Sequence, residues 1–188
     1  MARAILKVCP DRYWQQRRKE CGAYVMKAIL NMYGKDGEAP ARTYLSFLGD
    51  LCYGFTWPRR VVKVLRRHGF FTEFRRANKL RHGKLDALRM HLLRQEPVIL
   101  LIGNSFNPRR HYQHFKRWYG WHWMLLLGFD DAERKVYLYD PNVRLEKHER
   151  DIPIGNASLS YKRFMQQWRG VFFTSLFNYS YMPVIKRR

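Results

Sequence analysis

The apolar residues of this chain change their spacing about halfway along it. In residues 21–33 they recur at the spacing of an amphipathic helix, and Gly34 is a suitable helix stop. After residue 97 they fall into short continuous runs bounded by turn residues, which is the pattern of buried strands. Helices first and strands later are typical of an α+β fold with an antiparallel sheet, not of alternating βαβ units.

The same patterns predict the individual elements. Helices are predicted over residues 21–33, 42–51, 58–69, 84–95 and 161–168. Strands are predicted over residues 70–76, 97–103, 122–130 and 135–141, and within the closing segment 170–184. The sequence DDAER, between the third and fourth of these strands, predicts a hairpin turn. We therefore expect an N-terminal helical half packed on an antiparallel β-sheet.

Length and composition are those of one folded domain. A chain of 188 residues can bury one core, so we expect a single domain over residues 1–188. Hydrophobic residues make up 46% of the chain and aromatics 16%, which excludes wholesale disorder. No apolar run approaches the roughly 20 residues of a membrane span, and the N-terminus lacks the apolar segment of a secretory signal. These features predict a soluble, cytoplasmic protein.

The net charge of the chain limits the kinds of partner that it can bind. Lys and Arg number 36 against 15 Asp and Glu, a formal net charge of +21. Such a balance favours an acidic peptide, nucleic acid or an anionic membrane surface as partner.

The three cysteines, Cys9, Cys21 and Cys52, show no CxxC spacing, which argues against a disulfide framework and a zinc site. At least one thiol is therefore free, which suits a reducing compartment.

One cysteine stands at the junction between a charged segment and a predicted helix. Cys21 follows the residues RRKE and begins the apolar helix. A helix start offers unpaired backbone N–H groups and the positive end of the helix dipole, which stabilise a thiolate. The structural alternative is a small buried hydrophobe. Cys9 and Cys52 have no comparable neighbours, and we assign them to packing or to exposed thiols.

A histidine and a carboxylate extend the pattern to a thiol-based site. His122 begins one predicted strand, and Asp140 ends the next one, directly before Pro141. If these strands form a hairpin, both side chains lie at the same end of the sheet. There the imidazole can accept the proton of a thiol while the carboxylate orients it. A strand-edge histidine and a turn-forming Asp-Pro pair are the structural alternatives.

A glutamine upstream of Cys21 supplies a possible oxyanion donor. Gln15 lies six residues before Cys21, and its amide can donate to a developing oxyanion together with the Cys21 backbone N–H. Gln16 competes for this role, and the spacing favours Gln15.

A basic and aromatic segment, residues 103–121, precedes His122. Its alternation of Arg with Trp and Tyr suits stacking against nucleic acid, although the chain carries no recognisable nucleic-acid-binding module. His111 and His114 lie within it at HxxH spacing, but no supporting ligand pattern accompanies them. We therefore predict no metal and no cofactor.

Five stretches follow one another between residues 15 and 173. They are QQRRKECGAYVMKAILNMYG, WPRRVVKVLRRHGF, EPVILLI, HWMLLLGFDDAERKVYLYDPN and SYKRFMQQWRGVFF. In this ordered set the chain resembles the papain-like cysteine peptidases that process the double-glycine leaders of bacteriocins. The resemblance implies a papain-like fold. It also implies that Cys21 is the nucleophile, His122 the base, Asp140 the orienting residue and Gln15 the oxyanion donor.

The resemblance also implies an activity and a partner. We expect an endopeptidase that removes a leader from a small precursor after small residues of the Gly-Gly type. Gly22, Trp121 and Trp123 flank the site residues and are expected to contact the substrate. Most family members are fused to an ABC transporter, and here we expect the exporter to be a separate protein.

Two alternatives stay open. One is a non-catalytic papain-like module that binds an acidic leader peptide or nucleic acid. The other is a thiol deamidase, isopeptidase or acyltransferase, since the same thioester chemistry serves all of these reactions.

Overall fold

The computed structural model describes residues 2–17, 19–35, 39–47, 55–81, 83–103, 121–169 and 174–187. The helices are α1 (Cys21–Met32), α2 (Pro58–Arg67), α3 (Lys84–Leu93), α4 (Tyr161–Arg169) and the short α5 (Thr174–Phe177). The strands are β1 (Arg3–Ile5), β2 (Phe70–Phe71), β3 (Arg75–Arg76), β4 (Val98–Ile102), β5 (His122–Asp130), β6 (Lys135–Tyr139), β7 (Ala157–Ser160), β8 (Ser180–Pro183) and β9 (Ile185–Lys186).

An antiparallel sheet organises the described part of the chain. Seven strands take part: six follow the order β3-β8-β4-β5-β6-β7, and β1 pairs with the far end of β5. β2 and β9 form a separate two-stranded ribbon. The predicted combination of helices with an antiparallel sheet is confirmed.

β5 and β6 form the predicted hairpin, with a shift of register between Leu126 and Gly128. Asp130 lies opposite Lys135 next to the turn, and Leu125 lies opposite Tyr139. The Asp130 carboxylate accepts the backbone N–H groups of Ala132 at 2.9 Å and Glu133 at 3.1 Å, which closes the turn. The start of β5 and the end of β6 therefore lie side by side at one edge of the sheet.

The core lies between α1 and the central strands. Residues on α1 such as Val25, Met26 and Ile29 are at most 1% exposed, because the helix carries apolar side chains on its whole inner face. β4 and β5 are buried along their full length, as their unbroken apolar sequences indicate. α1 contacts β5 directly, so the first residue of the helix is fixed against the start of the strand.

Residues 70–76 form two short strands, where the sequence predicts one. Phe70–Phe71 pairs with β9, whereas Arg75–Arg76 pairs with β8, so the chain crosses from one sheet to the other between them. The loose alternation in this segment does not show which partner each end will find.

Two strands at the margins of the sheet, β1 and β7, are not indicated by the sequence patterns. β1 and β7 are short, and both pair at margins of the sheet; β7 has the polar sequence ASLS, which lacks the apolar signal of a strand. The predicted helix over residues 42–51 is a 3₁₀ turn at Ala41–Tyr44, and its remainder lies outside the described residues from residue 48 onward.

Candidate active site

The fold brings Cys21, His122 and Asp140 together. Cys21 is the first residue of α1, and its Sγ accepts the backbone N–H of Trp123 at 3.5 Å. His122 begins β5, and its Nε2 lies 2.6 Å from Oδ1 of Asp140. The thiol and the imidazole are 7% and 6% exposed, so their electrostatic interactions are only weakly screened by water.

The surroundings of the His122 imidazole favour its protonated form. Burial lowers the pKa of the ring, but the charges of Asp140 and Cys21 and its hydrogen bonds to both residues raise that pKa to about 10. Because Nε2 faces Asp140, the contact with Cys21 falls to Nδ1. An imidazolium beside the sulfur, with the positive end of α1 next to it, is the environment of a reactive thiolate.

A buried asparagine clamps the backbone of Asp140. Asn156 is fully buried; its Oδ1 accepts the Asp140 N–H at 2.8 Å, and its Nδ2 donates to the Asp140 carbonyl at 3.0 Å. The Asn156 N–H donates in turn to the carbonyl of Leu138 at 2.9 Å. These bonds fix both backbone groups of Asp140 and hence the direction of its carboxylate.

Gly155 allows the chain to bring Asn156 beside Asp140. Its φ is +92°, a conformation that L side chains rarely adopt, and a Cβ at this residue would lie 2.2 Å from the carbonyl oxygen of Leu138. Only glycine permits so close an approach to β6. The approach places Asn156 beside Asp140.

Replacing Asn156 with alanine is expected to slow alkylation of Cys21 by iodoacetamide about tenfold at pH near 6, because a carboxylate displaced by a fraction of an ångström stabilises the imidazolium less well. The rate is read by mass spectrometry of the labelled peptide. Ser160→Ala, an exposed change at the end of β7, the strand that follows Asn156, is the control and should react at the wild-type rate. If the Asn156→Ala protein is stably folded and its Cys21 is alkylated at the wild-type rate, Asn156 has no role in the site.

The segment that carries Gln15 is fastened to the end of β6. The Tyr139 hydroxyl donates to the carbonyl of Trp14 at 2.8 Å, and the Gln16 N–H donates to the carbonyl of Pro141 at 2.7 Å. Both neighbours of Gln15 are thus bound to residues on either side of Asp140. This explains why a residue more than a hundred positions upstream lies at the same edge of the sheet.

The two glutamine side chains differ in their surroundings. Gln16 is half-buried and its amide donates to Oδ1 of Asn142 at 3.3 Å, whereas Gln15 is exposed. The Gln16 amide nitrogen therefore already has a partner within the protein, whereas its buried oxygen has none among the described residues. The exposed amide of Gln15 can turn toward a bound substrate, and its role as oxyanion donor stays a prediction.

Gly22 and Trp123 both pack against Thr56. A Cβ on residue 22 would lie 2.6 Å from the Thr56 Cβ, so packing excludes a side chain here. The Trp123 indole is fully buried and donates to the Thr56 carbonyl at 3.0 Å. The buried position of the Trp123 indole does not support its predicted contact with substrate, which stays a prediction. Gly22 likewise faces a packed interior, and the geometry gives its predicted substrate contact no support.

Trp121 has a more accessible position. It is half-buried and stacks on Phe55 with ring centroids 4.3 Å apart and an interplanar angle of 10°. Its edge contacts with Trp57 and Phe177 place it in an aromatic cluster directly before His122. Its predicted contact with substrate is compatible with this location.

The remaining predicted groups lie elsewhere. Cys9 is an exposed free thiol, and Cys52, His111 and His114 lie outside the described residues, as does most of segment 103–121. Within the described ranges, no group of three His, Cys, Asp or Glu side chains is arranged to hold a metal ion.

A cavity of about 340 Å³ opens beside the imidazole and the carboxylate. His122 and Asp140 border it, together with Met124 and Arg163. Its lining is predominantly polar, which suits the backbone of an extended peptide that must satisfy its own N–H and carbonyl groups.

Three solved structures share this fold. The peptidase domain of Streptococcus ComA, a bi-functional ABC transporter involved in a quorum sensing pathway, superposes with a TM-score of 0.56 at 15% identity, covering 94% of this chain and 100% of that domain. A C39-like peptidase from Bacillus anthracis gives a TM-score of 0.61 at 12% identity, covering 100% and 99%. A double glycine motif protease from an AMS/PCAT transporter, in complex with the leader peptide, gives 0.51 at 15%, covering 100% of both chains.

The papain-like α+β architecture predicted from the resemblance is confirmed by these superpositions, whose low identities bear on the fold alone. No curated protein matches the sequence. In the described part of the chain, no helix combines the length and the apolar character needed to cross a bilayer. The profile of the Peptidase_C39 like family matches residues 11–169, which include all four predicted catalytic residues. The chain belongs to the Peptidase_C39 like family.

Proposed function

We propose that this protein is a cysteine endopeptidase with Cys21 as nucleophile, His122 as general base and acid, and Asp140 as the orienting carboxylate. The observation that carries the proposal is that three side chains meet at one edge of the sheet. The Cys21 sulfur accepts the Trp123 N–H at the start of β5 at 3.5 Å, and Nε2 of the buried His122 imidazole lies 2.6 Å from the Asp140 carboxylate. Membership of a peptidase family supports the same reading.

The reaction follows from the charges at the site. The Cys21 thiolate attacks the carbonyl carbon, and negative charge develops on the carbonyl oxygen. The protonated imidazole of His122 then donates its proton to the leaving amine, so a thioester and a free amine form. Neutral His122 next takes a proton from water, which attacks the thioester and releases the acid and the thiol. Asp140 keeps the ring oriented and stabilises its protonated form in both steps.

The oxyanion is stabilised in this proposal by the Gln15 amide and the Cys21 backbone N–H at the start of α1. Gln15 is supported by its six-residue spacing, its exposure and the two anchors around it. Loss of one such donor costs about 3–4 kcal/mol of transition-state stabilisation. Gln15→Ala therefore tests the donor separately from the nucleophile.

The substrate that we propose is a precursor peptide cut after two small residues. One structural neighbour is a double glycine motif protease in complex with a leader peptide. The likeness to it supports glycine over a branched side chain at the bond that is cut. The protein partner would be such a precursor.

The expected specificity can be measured on matched peptides. A peptide with Gly-Gly before the cut should be hydrolysed with a kcat/KM at least about 100-fold above that of the same peptide with Val in place of the second Gly, because a branched side chain beside the sulfur displaces the carbonyl from its line of attack. Products are identified by mass spectrometry. Equal rates on the two peptides would contradict the proposed double-glycine specificity without contradicting the peptidase proposal.

The alternatives give different outcomes in the same assay. A non-catalytic module would bind the peptide and leave it whole. A deamidase would change the mass of a Gln or Asn side chain without splitting the chain, and an acyltransferase would transfer the acyl group to an added amine. Neither the family match nor the structural neighbours favour nucleic acid as partner. A reducing cytoplasm would keep the Cys21 thiol active.

A further inference from the structure

We infer that His148 is a positioning residue of the candidate active site, and that it acts through Asn156 on the carboxylate of Asp140. The inference rests on the proposed peptidase function, because it concerns how the groups of that same site are held ready for the reaction. His148 directly follows a short 3₁₀ turn, Leu145–Lys147, in the segment between β6 and β7.

The side-chain amide of Asn156 has only one orientation that fits its surroundings. Its Oδ1 accepts the Asp140 N–H at 2.8 Å, and its Nδ2 donates to the Asp140 carbonyl at 3.0 Å. A backbone N–H can only donate and a carbonyl can only accept, so exchanging the amide oxygen and nitrogen would break both bonds. One Nδ2 hydrogen is thereby assigned to Asp140, and the second hydrogen needs another acceptor.

His148 supplies that acceptor. Its Nε2 lies 3.2 Å from Nδ2 of Asn156. Because Asn156 is fully buried, an amide hydrogen without a protein acceptor would be held away from water, which is unfavourable. With His148 in place, both amide hydrogens and the amide oxygen are bonded. Rotation of the amide would then break three hydrogen bonds at once.

The contact also fixes the protonation state of His148. An amide nitrogen can only donate, so Nε2 of His148 must be the unprotonated ring nitrogen and the proton of the neutral ring must lie on Nδ1. An imidazolium here would place its own N–H against the Asn156 amide hydrogen. The site thus holds two imidazoles in different states, since the surroundings of His122 favour its protonated form.

Backbone contacts hold the His148 ring against Asn156. The His148 N–H donates to the carbonyl of Leu145 at 3.3 Å, and the Glu149 N–H donates to the carbonyl of Asn156 at 3.2 Å. The Glu149 carboxylate accepts the hydroxyl of Ser158 on β7 at 2.6 Å. The segment that carries the imidazole is therefore tied to Asn156 and to the strand that follows it.

The hydrogen bonds continue from Asp140 to the reacting groups. Oδ1 of Asp140 accepts the Asn142 N–H at 2.8 Å and lies 2.6 Å from Nε2 of His122. Displacement of the Asp140 backbone would therefore move the carboxylate that orients the His122 ring. His148 acts on that orientation through Asn156, so its loss should lower kcat and have little effect on KM.

Two replacements of similar size separate the acceptor from the bulk of the ring. Gln keeps an oxygen that can accept the Asn156 hydrogen, whereas Leu has no acceptor. At pH about 7.5 on a Gly-Gly peptide, His148→Leu should lower kcat about tenfold with KM within about twofold of wild type, and His148→Gln should keep kcat within about threefold.

The matched control is Glu146→Ala, an exposed change in the same 3₁₀ turn, which should have the wild-type kcat. Thermal unfolding verifies that all variants are folded. A wild-type kcat in His148→Leu, or equal losses in the Leu and Gln variants, would overturn the inference.

A double variant tests the route through Asn156. If His148 acts only on the Asn156 amide, His148→Leu combined with Asn156→Ala should have a kcat within about twofold of that of Asn156→Ala alone. Two independent roles would instead multiply the two losses. A multiplied loss in the folded double variant would overturn the route through Asn156.

Nuclear magnetic resonance tests the tautomer without reference to catalysis. In ¹⁵N-labelled protein at pH about 7.5, Nε2 of His148 should resonate as an unprotonated imidazole nitrogen and Nδ1 as a protonated one. The two resonances are assigned by their absence from the spectrum of His148→Gln. A protonated Nε2 in the folded wild type would contradict the inferred contact.

The outcomes also separate this inference from the peptidase proposal. Cleavage by wild type that is unchanged in His148→Leu would overturn the role of His148 and keep the peptidase. If wild type cleaves no peptide, the peptidase proposal fails, and the same variants are compared by the rate at which iodoacetamide alkylates Cys21. A rate about tenfold lower in His148→Leu and near wild type in His148→Gln would keep His148 as a positioning residue, and equal rates would overturn it.

Discussion

Cys21→Ala is expected to reduce the rate of peptide cleavage by about 10⁴-fold or more, to the level set by binding and oxyanion stabilisation alone. The reason is that alanine cannot form the thioester, while the remaining contacts of residue 21 are those of a small buried side chain at the first position of α1. The measurement is the initial rate on a Gly-Gly peptide, with products identified by mass spectrometry.

The matched control is Cys9→Ser. Cys9 is an exposed free thiol in the same chain, so this variant should keep the wild-type rate. Circular dichroism and thermal unfolding should show both variants to be folded, because Cys21→Ala removes only one sulfur atom from the core. Cleavage that persists in folded Cys21→Ala protein would show that another group performs the reaction.

His122→Ala is expected to have the second largest effect, a loss of about 10⁴-fold in kcat, because the thiolate loses its counterion and the leaving amine loses its proton donor. The KM should change much less, because His122 acts mainly in the chemical steps and not in holding the peptide. His68→Ala, at the end of α2, removes an imidazole outside the site and should leave kcat unchanged. A similar loss in both variants would show a general effect on stability instead.

His122→Ala also tests whether the imidazole is charged, through the pH dependence of the free energy of unfolding. The pKa of His122 is raised from 6.5 to about 10 in the folded protein by Asp140 and Cys21, against the lowering effect of burial. A raised pKa contributes stability that is complete below pH 6.5 and is lost as the pH rises toward 10. The difference in the free energy of unfolding between wild type and His122→Ala should therefore narrow over this range in urea titrations. A constant difference would mean that the imidazole is neutral in the folded state.

The sequence predicts the parts of the site that depend on strand order. Two strands joined by a turn-forming segment place His122 and Asp140 at the same edge, and the structure brings their side chains to 2.6 Å. The apolar period after Cys21 predicts a helix start at the thiol, and α1 begins at that residue. Periodicity and turn chemistry suffice here because both are local properties of the chain.

Features that depend on distant partners are not visible in the sequence. Asn156 lies in a polar segment with no pattern of its own, and it acquires its role through the positive φ of Gly155 and the approach to β6. The burial of Trp123 depends on Thr56, far away in the chain. The aromatic cluster around Trp121 likewise joins Trp57, directly before α2, and Phe177 of α5, and no spacing rule connects these residues.

The most direct test of the central claim is alkylation of the wild-type protein with iodoacetamide near pH 6, with each labelled cysteine quantified by peptide mass spectrometry. A thiol paired with the His122 imidazolium should react at Cys21 at least about 100-fold faster than at Cys9, and His122→Ala should abolish that advantage. Equally slow labelling of Cys21 and Cys9 in folded wild-type protein would contradict an activated nucleophile at the start of α1.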